Sequence, residues 1–202
     1  MSDSFLKFWS GWRFLPLWIV ATSLGFAIGG PVSSMVPEYV SGDMGNILGY
    51  GVMSLAIALP QWLILRGRIR RAYWWLLVTP LGGLVGGPVS ISIAWNLSIT
   101  FGDAVDLFTI FAVLRGTTTG LAQWIFLRTQ IPQAGWWVIA TSFAWYVSLT
   151  IGFNLARKVI FITPSTILGI CYGTISGIVM FVLLRKMKFD LDQSITSSAK
   201  PK

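Results

Sequence analysis

The sequence contains no histidine, one cysteine and only seven acidic residues among 202. Without histidine there is no imidazole to ligate haem or metal, and none to act as the base of a catalytic triad. A single thiol excludes an internal disulfide. Charged residues make up 11% of the chain, where a soluble domain carries about a quarter. No apolar stretch holds a carboxylate pair or a serine with an evident base, so general acid–base chemistry has no constellation and no enzyme is expected.

What is present is apolar. Hydrophobic residues account for 54% of the chain and the mean hydropathy is +0.71. A hydrocarbon core about 30 Å thick needs ~20 apolar residues at 1.5 Å rise. Six stretches qualify: 14–36, 45–65, 72–97, 104–127, 135–155 and 164–184. The expected fold is therefore all-α, a polytopic membrane protein of six transmembrane helices. The first stretch is long enough to span and reads as a retained helix, not a cleaved signal.

The basic residues are laid out by side. Lys7 and Arg13 precede the first span, Arg66, Arg68, Arg70 and Arg71 fill the second connection, and Arg128 sits in the fourth. Arg185, Lys186, Lys188, Lys200 and Lys202 follow the sixth. The opposite connections hold Glu38, Asp43, Asp103 and Asp106, with Arg157 and Lys158 as their cations. The positive-inside rule then puts both termini and the arginine loop in the cytoplasm of a bacterial inner or internal membrane. Arg66, Arg68, Arg70 and Arg71 are expected to touch anionic headgroups there; a short membrane-hugging loop offers nucleic acid no groove-reading element. Trp9, Trp12, Trp18, Trp62, Trp74, Trp75, Trp124, Trp136 and Trp137 gather near the same ends and read as an interfacial belt.

The chain also repeats itself. Gln61-Trp62-Leu63-Ile64-Leu65-Arg66 returns 62 residues later as Gln123-Trp124-Ile125-Phe126-Leu127-Arg128. Ala72, Trp74, Trp75 and Thr79 return at the same shift as Ala134, Trp136, Trp137 and Thr141. A shift of 57 carries Trp18 and Thr22 onto Trp75 and Thr79, and Gly29-Gly30-Pro31 onto Gly86-Gly87-Pro88. Each repeat contains two spans, so three hairpins of one orientation are expected about a pseudo-threefold axis along the membrane normal. The divisions are 1–13 (cytoplasmic N-terminus), 14–66, 67–128 and 129–185 (hairpins), and 186–202, a cytoplasmic tail expected to be disordered. The third hairpin is degenerate, with Met180 in place of the glutamine.

The Gln-Trp-x-x-Leu-Arg motif followed by Ala-x-Trp-Trp-x-x-x-Thr resembles small bacterial multi-pass membrane proteins built on the same helical-hairpin repeat. The resemblance covers most of spans two to five. It implies a fold and a membrane address, and no activity.

Gly-x-x-x-Gly occurs seven times, against about two by chance, and is expected to pack helices at close range. Gly42-Asp43, Gly102-Asp103 and Thr163-Pro164 occupy the hairpin tips and read as helix caps. Gln61 and Gln123, with Thr22, Thr79 and Thr141, are expected either to bond between helices or to line a shallow ligand site.

Arg115 stands alone at mid-span, 12 residues after Asp103 and 13 before Arg128. A guanidinium there costs at least about 2.5–3.5 kcal/mol and must face protein or water. Its lean toward the helix N-terminus points it at the tips. Glu38, Tyr50 and Asn154 are the candidate partners in a structural ion pair or carbonyl network; an anion or lipid headgroup in a tip-facing cavity, or a carboxylate of a partner subunit, is the alternative.

The expected function is non-enzymatic: an accessory or scaffold subunit, or a membrane-embedded binding or sensing module. The rival is a small-solute, anion or lipid transporter with a central site near Arg115. No cofactor is evident; the Trp- and Gly-rich faces suit lipids, quinones, carotenoids, other membrane subunits or a second copy.

Overall fold

A computed structural model describes residues 13–104, 106–159 and 162–198. Lys7, Trp9, Trp12, Lys200 and Lys202 lie outside them, as do the side chains of Asp103 and Lys188. The described chain is helical, without a strand. The helices are α1 (Phe14–Tyr39), α2 (Asp43–Leu65), α3 (Trp75–Phe101, entered through the 3-10 turn Ala72–Trp74), α4 (Leu107–Leu127), α5 (Trp136–Val147) and α6 (Pro164–Ser198). α5 continues through one π-helical turn, Ser148–Gly152, into Phe153–Ala156. Six of these segments are long and apolar enough to cross a membrane.

Each helix packs against the next in sequence, and α6 returns to pack on α1, so the six form a closed ring. Small residues set the spacing. A Cβ on Gly25 would lie 2.6 Å from the Ile57 backbone, one on Gly116 2.4 Å from Ser142 Cα, and one on Gly169 2.7 Å from Ser23 Cα. These positions join α1 to α2, α4 to α5 and α6 to α1 at backbone contact. Outward, Val20, Leu24, Ile28, Leu81, Val85 and Ile139 are exposed, as expected where lipid replaces protein.

The two long connections at the arginine-bearing end are built alike. Ile69 N–H donates to Leu65 O and Ile131 N–H to Leu127 O; Trp74 N–H donates to Arg71 O and Trp136 N–H to Gln133 O. Arg71 (φ 54°) and Gln133 (φ 59°), 62 residues apart, both take left-handed backbone. At the other end, Gly42 (φ 75°) and Gly102 (φ 59°) turn the first two tips.

Three expectations are corrected. Trp18, Trp75 and Trp137 are not part of a belt: all three are 0% exposed. Capping at the second tip falls to Asp106, which accepts from the backbone N–H groups of Phe108 and Thr109. At the first tip Gly42 holds the N-cap position without a side-chain bond, and Asp43 is the first helical residue. The third tip does follow the expected pattern, with Thr163 Oγ1 accepting from Thr166 N–H at 3.3 Å. Finally, α6 runs on to Ser198 where disorder was expected, because no Gly or Pro interrupts the chain between Gly177 and Pro201.

Candidate functional site

The centre of the ring is filled in two layers. Nearer the arginine-bearing end, the indoles of Trp18, Trp75 and Trp137 meet pairwise at 6.5, 6.3 and 5.8 Å between centroids, tilted or edge-on. Such contacts favour edge-to-face geometry. Each indole N–H is satisfied. Trp75 Nε1 donates to Gln61 Oε1 at 3.1 Å, and Gln61 Nε2 donates to Thr22 Oγ1 at 3.0 Å. Trp137 Nε1 donates to Gln123 Oε1 at 2.7 Å, and Gln123 Nε2 donates to Thr79 Oγ1 at 3.0 Å. Trp18 Nε1, whose glutamine is replaced by Met180, donates to Ser176 Oγ at 3.1 Å. Gln61 and Gln123 are therefore buried bridges between helices, and no ligand reaches them without dismantling the layer.

About two turns toward the tips, a second layer breaks the pattern. At the 57- and 62-residue shifts, Phe26, Gly83 and Trp145 correspond on the first helices of the hairpins, and Met53, Arg115 and Tyr172 on the second. Phe26, Trp145 and Tyr172 cluster at 5.6–5.7 Å between ring centroids. Gly83 has no side chain to contribute, and the Arg115 guanidinium fills the opening. Arg115 Nη1 donates to Gly83 O at 3.0 Å and to Gly82 O at 3.4 Å. Nη2 donates to Ser54 Oγ at 2.9 Å. The guanidinium carbon lies 5.3 Å from the Tyr50 ring centroid and 5.5 Å from that of Trp145, within cation–π range.

The side chain thus crosses the bundle at its own level, since Ser54 follows Met53, and does not rise along its own helix toward the tips. It is 1% exposed. Of the candidate partners, Tyr50 is brought to it. Glu38 is exposed near the end of α1, and Asn154 is exposed with its Nδ2 donating to Thr150 O on its own helix. Among the described residues no carboxylate pairs with Arg115; its partners are neutral oxygens and rings.

Arg115 borders a cavity of about 480 Å³. Five of the six helices contribute to its wall, through residues such as Phe26, Met53, Phe111, Trp145 and Leu168, so it lies at the centre of the ring. It extends to Ser34 and Asn46, both exposed near the tips. Leu149, on the π turn, also faces it; such turns recur at functional sites. Beneath its floor stand the three tryptophans. The arrangement is a cup, wide toward the tips and plugged by indole toward the arginine-bearing end.

That end carries a pattern of its own. Arg66, Arg128 and Arg185 lie over Trp62, Trp124 and Phe181, each four residues earlier, at 5.7, 5.0 and 5.2 Å. Arg68 donates to Ile64 O at 2.6 Å and lies over Phe14 at 5.0 Å; burial holds its pKa below the usual guanidinium value. Arg70 and Arg71 line a depression of about 300 Å³ with Trp74 and Gln130. Sequence reasoning singled out Arg115, Tyr50 and the arginine loop. It missed Ser54, Gly83 and Trp145, although the 57- and 62-residue shifts already align Gly83 with two aromatics and mark the gap.

No family model, curated protein or solved structure matches the chain. What the fold defines is an all-helical bundle whose six long apolar helices are compatible with a multi-pass membrane protein.

Proposed function

We propose that the protein is a non-enzymatic, membrane-embedded binding module, in which three hairpins related by a pseudo-threefold axis enclose a ligand cup. By the positive-inside rule the cup opens away from the cytosol of a bacterial membrane, and the arginine-bearing end meets anionic headgroups on the cytosolic face. One observation carries this reading: the cavity ends on a buried guanidinium that pairs with no carboxylate among the described residues, above a plug of three fully buried indoles. Buried charge is normally paired, so a site of this kind is completed by an anion from outside the chain. The plug favours binding over passage, because the three mutually contacting indoles are fully buried and their polar neighbours are engaged in hydrogen bonds to one another. Liposomes carrying the purified protein are expected to show no anion flux above protein-free vesicles, while a total lipid extract raises its unfolding temperature in nanodiscs. Saturable flux would establish the transporter instead, with the Trp layer as a gate.

A further inference from the structure

The chemistry of the cup's floor narrows the ligand. A guanidinium carries five N–H groups. Three of those on Arg115 are directed to Gly82 O, Gly83 O and Ser54 Oγ. Nε and Nη2, which share one edge of the guanidinium, each keep an N–H without a protein acceptor among the described residues. Rings from two different helices, Tyr50 on α2 and Trp145 on α5, lie within cation–π range of the group, so the N–H groups left over are the polar contacts it still offers. An arginine edge with two parallel donors matches the two oxygens of a carboxylate. The charge count agrees. Arg115 is the single charged residue among those lining the cavity, so one negative charge is neutralised and a second would be left in an apolar wall. Phe26, Phe111, Leu149 and Leu168 supply that wall, and a volume of about 480 Å³ falls within the ordinary range for small organic ligands, roughly 300–1,000 Å³.

We infer that the cup binds a monoanionic amphiphile, its carboxylate on the free edge of Arg115 and its apolar body along Phe26, Phe111, Leu149 and Leu168. The inference rests on the binding-module reading above. Its test uses the full chain in nanodiscs of zwitterionic lipid at pH 8, with thermal unfolding and native mass spectrometry as readouts. Decanoate is expected to bind one to one and raise the unfolding temperature by several degrees. Decanol and acetate, which lack the charge or the tail, should each shift it by less than a fifth as much. Decyl phosphate, a dianion at that pH, should bind at least tenfold more weakly than decanoate. Arg115→Met should abolish the decanoate response. Asn46→Trp, at the mouth and away from the guanidinium, should weaken it at least tenfold while leaving the unliganded unfolding temperature unchanged. Equal responses to decanol and decanoate, tighter binding of decyl phosphate, or an undiminished response in both variants would each overturn the inference. So would stabilisation by total lipid extract without any by decanoate, a result that leaves the binding-module reading standing. Saturable flux, by contrast, removes that reading itself.

Discussion

Each of the two central layers is drawn from residues that match at the 57- and 62-residue shifts, and the two are completed in opposite ways. In the tryptophan layer every repeat brings an indole, and every indole N–H ends on a side-chain oxygen. In the arginine layer one repeat withholds a side chain at Gly83 and another element of that hairpin fills the space with charge. The first layer is complete within the protein. The second keeps N–H groups to spare and opens on a cavity. Where the matched residues are alike the layer closes, and where Gly83 stands in place of an aromatic ring the guanidinium and the cavity take the space.

The comparison breaks most severely in the tryptophan layer, where Trp75, like each of its two neighbours, meets both other rings. Trp75→Ala should cost about 3–5 kcal/mol of stability, read as a lowered unfolding temperature in nanodiscs, because a large side chain is removed from a fully packed position. A smaller breach comes from Gln123→Leu, which leaves the Trp137 N–H without its acceptor. In membrane bundles such interhelical bonds average about 0.6 kcal/mol and reach ~1.7, and a loss of about 1 kcal/mol is expected by denaturant titration.

Outside both layers, Asp106→Ala should cost about 0.5–1 kcal/mol as a lost helix cap. The Thr109 hydroxyl above all holds the Asp106 carboxyl below its ordinary value; desolvation opposes it, and the backbone N–H groups of Thr109 and Phe108 add to the lowering. A depressed carboxylate stabilises fully above the unfolded pKa and loses that contribution as pH falls through the folded one. The stability difference between wild type and Asp106→Ala should accordingly shrink below about pH 4.

Met180→Gln sharpens the comparison by restoring the missing glutamine. It should change stability by about 0.6 kcal/mol or less, and make Ser176→Ala better tolerated than in the wild type, a coupling that a double-mutant cycle measures. Arg115→Met should have the smallest effect on the unliganded protein, within about 0.5 kcal/mol in the same unfolding assay. Replacing a buried ionic group by an apolar one of similar volume is often neutral. Ser54 Oγ also keeps its bond to Tyr50 O at 2.9 Å, and Gly82 O and Gly83 O lie within α3, where the helix's own N–H groups serve them.

Much of this was legible before any coordinates. Six spans follow from hydropathy alone, because lipid imposes a length and a polarity that soluble folds do not. Arg115 stood out for the same reason. Its surroundings were harder to read. A membrane helix is apolar on every side, so its pattern does not tell the lipid face from the axis, and Trp18 looks no different from exposed Trp136 until the ring closes. Gln61 allowed two readings because an isolated amide says nothing of its partner, and that partner, the Trp75 indole, lies on the following helix. The cap at Asp106 was obscured by Asp103, three residues earlier and chemically identical.

The bond from Trp18 to Ser176 spans 158 positions in the chain. The indole N–H of α1 therefore finds its acceptor only when α6 packs back on it from beyond four intervening helices, and closing so long a loop is slow. Without α6 the ring has a split side and the tryptophan layer an unfinished seam, and that one helix is the stave that closes both.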